Sequence, residues 1–384
     1  MNPTQTQTEH GGSGNTLVAY IQKQQVAELD GLLRYFPATP ESFFYGDKVT
    51  IERLAADKII ADEAVKGSDP TFITEKEIEE IEILAGKYHL AVPFSLDFGV
   101  NNRIIGVSPT EPLNKSAILF SRLNSRLLVL LNRTKRGMIR QAAEIFQYGK
   151  IFFSSRDKGL SDVDFGFSSQ MFNDLTSGKE WVKADGTVNE AADPISDLRQ
   201  KMDLIFSKSG ISNCEVVLDC TAWRGFIGSQ KEKTFADKNK INLADISPEE
   251  NTIGGGLSRM GSYFLDDKKV VFYLYSGEYK DKEGKAKKYF DDGRVVVKPV
   301  ENAFYRTFFA GIPTKSAIPP ELAELVPNGN LTIYGDTKAV DVHFTTKEYN
   351  ETVHLELTSR PLLAAIASDT HASFVAKPKP AGTK

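Results

Sequence analysis

The chain has 384 residues, 41% of them hydrophobic and 26% charged, a balance that excludes wholesale disorder and supplies a core for two or three domains. Its formal net charge of −4 speaks against a dedicated nucleic-acid binder, which needs a basic excess to neutralise phosphates. No apolar run approaches the roughly 18 residues that span a bilayer. The opening MNPTQTQTEHGGSGN lacks the basic start and apolar core of a signal peptide, so synthesis and retention in a cytoplasm are expected.

Residues 1–15 read as a polar tail. From Thr16 to Phe36 a short amphipathic helical pattern follows, ended by Pro37 and Pro40. Residues 46–98 are ambiguous. Thr74 with Glu77 is a capping-box signature for a helix, yet Ile81 and Ile83 alternate with Glu80 and Glu82 as a strand does. The segment shows no sustained core face of its own. Its second leg is strongly acidic, through Glu75, Glu77, Glu79, Glu80 and Glu82.

The stretch Leu113–Tyr148 reads as one long helix or two nearly continuous ones. Apolar residues recur at steps of three and four, from Leu113 through Leu123, Leu127, Leu130 and Leu131 to Ile145 and Phe146. Pro112 suits a first turn and Gly149 suits a C-terminal cap. Gly137 weakens the interior by about 1 kcal/mol relative to Ala, which makes a bend there plausible. The opposite face carries Lys115, Arg122, Arg126, Arg133, Lys135, Arg136 and Arg140, with Glu144 as the only acid. An amphipathic core helix with a solvated basic face would look the same.

KIFFSS then opens as a strand, and a glycine-punctuated stretch leads to ADPISDLRQKMDLIFSKSG. This is a helix capped by Asp193, with Pro194 in its first turn, Gly210 at its end, and a seam of Ile195, Leu198, Met202, Ile205 and Phe206. EVVLDC is a strand, and TAWRGFIGS a short helix carrying Trp223 and Phe226. Residues 231–261 read as loop. VVFYLYSGEY and GRVVVKP are strands joined by a basic turn, and LTIYG, AVDVHFTT, TVHLELTS and ASFVAK are further strands. Without regular βαβ alternation, the class is α+β rather than doubly wound.

Chemistry is sparsely written. The histidines His10, His89, His343, His354 and His371 are scattered and form no HExxH. No CxxC exists, so a cysteine zinc site is excluded. Gly254-Gly255-Gly256 lacks the Lys-Ser/Thr of a phosphate loop, and no GxSxG occurs. Asp266-Asp267 and Asp291-Asp292 sit in turn-like contexts. Cys214 and Cys220, six apart on a strand, would stand about 20 Å from each other, beyond disulfide reach. No catalytic residue, cofactor or metal is expected.

The order of these features resembles the major capsid proteins of tailed bacteriophages, in particular the coat protein E family of lambda-like phages. Their fold is that of the Hong Kong ninety-seven phage capsid. DKVTIERLAADKIIADEAVKG resembles the outgoing leg of the family's extended loop. RQAAEIFQYGKI resembles the end of its spine helix, and ADPISDLRQKMDLIFSKSGISNCEVVLDCTAWRGFI its axial-domain helix, strand and tryptophan-bearing helix. VVFYLYSGEYKDKEGK and ELTSRPLLAAIASDTHASFVAK resemble its aromatic strand and closing strand.

The likeness covers roughly residues 43–376. It implies an N-terminal arm (1–45), an extended loop (46–98), a peripheral domain (99–184) with spine helix 113–148, an axial domain (185–310), and a return to the peripheral domain with a C-terminal tail (311–384). It further implies a non-enzymatic subunit forming pentamers and hexamers of an icosahedral shell around double-stranded DNA. A separate scaffold, a portal, a decoration protein and no membrane go with that reading. The missing core face of 46–98 would then belong to a neighbour, with Glu75, Glu77, Glu79, Glu80 and Glu82 meeting Arg126, Arg133, Arg136 and Arg140 between subunits. An encapsulin-like compartment shell and a soluble α+β enzyme with a loop-built site are the alternatives.

Overall fold

The computed structural model describes residues 31–44, 48–53, 79–94, 115–153, 161–229, 252–265, 268–281, 283–312, 330–331, 339–346 and 353–378. The pattern of apolar steps folds as one helix, α1 (Lys115–Tyr148), which continues unbroken through Gly137. The glycine serves packing rather than bending. A Cβ there would lie 2.6 Å from Cε1 of Tyr88. Gly149 ends the helix at φ +63, its N–H donating to the Ile145 carbonyl at 2.8 Å.

Leu123, Leu127, Leu130, Leu131, Ile139, Ala142, Ile145 and Phe146 are all buried and join the larger of two hydrophobic clusters. Lys135, expected on the basic face, is buried as well, because it sits one position from the buried Thr134 on the core side of the helix. Two amides pin α1 to the chain beneath it, one to a strand and one to the connection between two strands. Gln141 Oε1 accepts from Leu363 N–H at 3.2 Å, and Gln147 bonds both the Tyr289 carbonyl (2.9 Å) and the Asp291 N–H (2.7 Å).

A four-stranded antiparallel sheet packs on α1. Its order is 330–331, Val340–Thr346, Val353–Ser359, Tyr88–Phe94. Val340, Val342, Leu355 and Leu357 point into the core, so alternate residues face outward. Of LTIYG, only Leu331 lies in a described strand, Asn330–Leu331. The ambiguous acidic leg forms a strand: Glu79–Leu84 pairs antiparallel with Lys48–Arg53, and Val49, Ile51 and Ile83 tuck into the core. The Thr74–Glu77 signature lies outside the described residues.

A six-stranded sheet runs in the order Ala372–Val375, Arg294–Pro299, Cys214–Asp219, Lys268–Tyr275, Leu257–Leu265, Thr252–Gly254. Its one parallel pair joins 214–219 to 268–275. The second cluster fills the face covered by helices α2 (Pro194–Ser209) and α3 (Cys220–Gly228). Asp193 caps α2 by accepting from Ser196 N–H at 3.2 Å, and Gly210 closes it at φ +77. Phe206 is not on the seam; it is 50% exposed, because the last turn of α2 overruns the apolar contact.

Residues 252–261, expected as loop, are largely strand. Gly255 (φ +58) and Gly256 (φ +80) make the tight turn that glycine permits, and the flanking residues pair as a hairpin. Of the expected N-terminal helix, the described part is the short 3-10 turn Gly31–Tyr35. The strap it begins is held along Tyr305–Phe309: Thr307 donates to the Phe36 and Pro37 carbonyls, and Phe44 N–H to the Phe309 carbonyl. Cys214 is buried, Cys220 half-buried, and neither is in a disulfide.

Candidate assembly surfaces

The outward face of α1 is basic. Arg126, Arg133 and Arg136 are exposed, and none pairs with an acid among the described residues. Arg140 is different. Its Nε lies 2.7 Å from Glu144 Oε1, and its guanidinium also donates to the Phe152 carbonyl at 3.3 Å. Glu144 Oε2 accepts from Phe152 N–H at 2.9 Å. Burial raises the Glu144 carboxyl above its ordinary range, against the pull of those donors. Arg140 therefore fixes the chain leaving α1 and offers less to a partner than the three exposed arginines.

Beside this face stands a hairpin, Glu278–Lys280 with Ala286–Lys288. Asp281 Oδ1 accepts from the N–H groups of Glu283 and Lys285, which sets the turn. The hairpin base is held by the Tyr279 and Tyr289 rings, tilted at 34° with centroids 4.8 Å apart, and tied to α1 by the Gln147 amide. Tyr148 donates a short hydrogen bond to Asp291, which in turn pairs with Arg294 at 2.7 Å. Hairpin and helix enclose a groove of about 1100 Å³, walled by Arg133, Tyr148 and Phe152 on one side and Tyr279, Lys280 and Lys287 on the other.

The acidic leg is only partly described. Glu75 and Glu77 lie outside the described residues. Glu79 and Glu80 stand in the strand opposite Arg53 and Glu52, and their side chains are outside the description. Glu82 is exposed and pairs with Lys48 at 2.5 Å within its own chain. Such an exposed pair contributes only about 0–1 kcal/mol, so Glu82 is readily exchanged to another cation. Among the described residues no ion pair joins the acidic leg to the arginines of α1; Ile83 of the leg shares a buried cluster with the apolar face of that helix.

A deeper feature escaped the sequence pattern. His371 is wholly buried, its Nε2 2.9 Å from the Ile145 carbonyl and its Nδ1 3.0 Å from Tyr305 Oη. Phe146, Phe167 and Phe172 surround it, so it joins α1, a strand and a loop at one point. Burial holds its pKa down at about 3, which leaves it neutral and structural.

A long pinned helix, a four-stranded sheet beneath it, a two-stranded leg and a six-stranded sheet with its own helices make up a mixed α+β fold of the tailed-phage capsid class. The family model of phage major capsid protein E matches residues 19–318, and the chain belongs to that family. It is a structural capsid protein that assembles with copies of itself into the virion shell.

The fold is shared with a crystallised E. coli CFT073 prophage protein assigned as a capsid protein, at TM-score 0.59 and 14% identity over 94% of this chain and 98% of that one. A phage-related protein of Bordetella bronchiseptica RB50 reaches 0.48 at 11% identity, over 94% and 96%. The virus-like particle of Pyrococcus furiosus reaches 0.41 at 9%, over 94% and 96%. No curated protein matches the chain in sequence.

Proposed function

We propose that the subunit forms pentamers and hexamers that close into an icosahedral head around double-stranded DNA, without catalytic activity of its own. On this reading it is made in the host cytoplasm and works with a separate scaffold and a portal. Residues 46–98 extend from a body comprising a peripheral part on α1 and an axial part on the six-stranded sheet. The acidic leg of one subunit lies across the basic face of α1 in its neighbour, so that the charges of Glu75, Glu77, Glu79, Glu80 and Glu82 meet Arg126, Arg133 and Arg136.

The observation that supports this most is the exposed row of arginines, left without an acidic partner among the described residues. Each exposed contact is weak, but a closed shell repeats it at every interface. The attraction fades as the screening length falls from about 10 Å at 0.1 M salt to about 3 Å at 1 M. The test replaces Glu77, Glu79, Glu80 and Glu82 by Gln, and separately reverses Arg133 and Arg136 to Glu. Assembly, followed by light scattering and electron microscopy across salt concentrations, should weaken in both variants while circular dichroism stays that of the parent. Unchanged assembly with an unchanged salt dependence would reduce the acidic run to a solvated face.

A further inference from the structure

The pair Asp291-Asp292 does more than make a turn. Asp291 is taken up by Tyr148 and Arg294, whereas Asp292 accepts from three donors on three different elements. Thr221 Oγ1, in the first turn of α3, donates to its Oδ1 at 2.6 Å. Lys288 Nζ, at the end of the hairpin, reaches the same oxygen at 3.1 Å. Lys377 Nζ, in the C-terminal segment, donates to Oδ2 at 2.7 Å. Lys288 also reaches Oδ1 of the buried Asp219 at 3.2 Å, and Asp219 Oδ2 accepts from the N–H groups of Thr221 (2.9 Å) and Gly293 (3.1 Å). The charges alternate along one row: Asp219, Lys288, Asp292, Lys377.

We propose that this row is a latch through which the C-terminal segment holds the hairpin in place, and with it one wall of the groove beside α1. The two ends of the row are not equally firm. Strand Ala372–Val375 pairs with Arg294–Pro299, and Ala376 continues it, donating to the Gly293 carbonyl at 2.8 Å and accepting from Val182 N–H at 3.0 Å. Gly293, at φ +79, lies so near this segment that a Cβ on it would stand 2.8 Å from Cβ of Lys377. The C-terminal end is fixed.

The hairpin end is not. Apart from Tyr279, the residues of its two strands are exposed. Its outer ion pairs, Lys287 with Asp281 and Lys285 with Glu283, close on the hairpin itself, and the open groove parts it from α1. Its ties to the body lie at the base. The Gln147 bond to the Tyr289 carbonyl holds one backbone point, and the Lys288 ammonium supplies a second that resists tilting. Partial burial alone would raise the Asp292 carboxyl, but Lys377, Thr221 and Lys288 hold it well below the usual carboxylate range. The latch is therefore charged at neutral pH and in mild acid. It answers to salt, since Lys288 and Asp292 are 40% and 45% exposed, and to loss of the Lys377 ammonium.

The test is hydrogen exchange of the unassembled subunit, read by mass spectrometry in peptides covering residues 278–289. Lys377→Met, which keeps an apolar stem and removes the ammonium, should speed exchange there about threefold or more. Lys377→Arg should stay within about twofold of the parent. Lys288→Met should speed it at least as far as Lys377→Met. In Lys377→Met the strands Cys214–Asp219 and Arg294–Pro299 should exchange at the parent's rate. Hairpin exchange equal to the parent's in either methionine variant would remove the latch. A rise in Lys377→Met shared equally by those two strands would overturn it as well, because that is loss of the sheet and not release of the hairpin.

Discussion

Lys298 and Glu215 stand opposite each other on neighbouring strands of the six-stranded sheet, both buried, the ammonium 2.8 Å from Glu215 Oε1. The two atoms are close but not aligned as a hydrogen bond, and the lysine donates instead to the Pro299 carbonyl at 2.7 Å. Tyr35 of the strap covers them, its ring centroid 3.7 Å from the ammonium. Burial lowers the Lys298 pKa to about 8, with Glu215 pulling the other way. Desolvating two charges costs several kcal/mol per ion, so the pair is poor value as stability and expensive to break. Lys298→Met alone or Glu215→Gln alone should cost about 3–5 kcal/mol, because each strands the partner. Lys298→Met with Glu215→Leu should be neutral or stabilising. Urea unfolding of the unassembled subunits checks the order of the three variants, and a double variant worse than either single one would contradict it.

His371 makes the fold sensitive to acid. Its pKa is held at about 3 by burial and by the Lys298 charge, against the Ile145 carbonyl, while an unfolded histidine titrates near 6.5. Between those values the unfolded chain binds the proton and the folded chain does not. Stability therefore falls as pH drops from about 6.5 toward 3, by up to about 1.4 kcal/mol per unit from this residue. Urea midpoints at pH 7 and pH 5 should differ less in His371→Gln than in the parent. Equal differences would remove His371 from the acid response.

Gly137→Ala sets two effects against each other. Alanine should gain about 1 kcal/mol in helix propensity. Its Cβ, however, would press on Tyr88, whose hydroxyl accepts from Gln141 Nε2 at 3.1 Å and so cannot swing aside freely. Overpacking of this kind costs about 1–3 kcal/mol, so the net change is destabilising. In a Tyr88→Ala background the same substitution should become stabilising. Melting temperatures of the four proteins give the coupling directly.

Leu131 belongs to the buried side of α1, 3% exposed. Leu131→Ala should cost about 2–5 kcal/mol, and Leu131→Glu should give insoluble protein, since an unpaired buried charge costs several kcal/mol. Arg133→Glu, two residues away but exposed, should leave the unassembled subunit soluble with its melting temperature nearly unchanged. Comparing soluble yields of the three separates the two faces of the helix.

The long helix was readable because its burial is periodic, and the caps of α2 because Asp193, Pro194 and Gly210 act locally. The tail of that helix misled for a physical reason: Phe206 keeps the spacing of the seam after the surface it would cover has ended. The Gly254–Gly256 turn hid two strands whose pairing depends on Lys268–Tyr275. Lys135 looked like its basic neighbours until the direction of its turn was fixed. The buried role of His371 was invisible for the simplest reason, since it and its partner Ile145 are 226 positions apart. The acidic leg could be read as strand or helix because its decisive partner, Lys48–Arg53, supplies the alternation from outside.

The two amide anchors of α1, Gln141 and Gln147, have a mechanical corollary. They lie six residues apart, about 9 Å along the axis, and grip different segments, Gln141 the strand at Leu363 and Gln147 the connection at Tyr289 and Asp291. A slide of even one residue, about 1.5 Å, or a turn about the helix axis would break both grips at once. Load applied along the helix is therefore passed to the chain beneath it at two fixed points, as through a bolted beam. The leg Lys48–Arg53/Glu79–Leu84 is seated differently, by the apolar side chains of Val49, Ile51 and Ile83, and contacts without direction tolerate a small slide that a pair of amide grips does not.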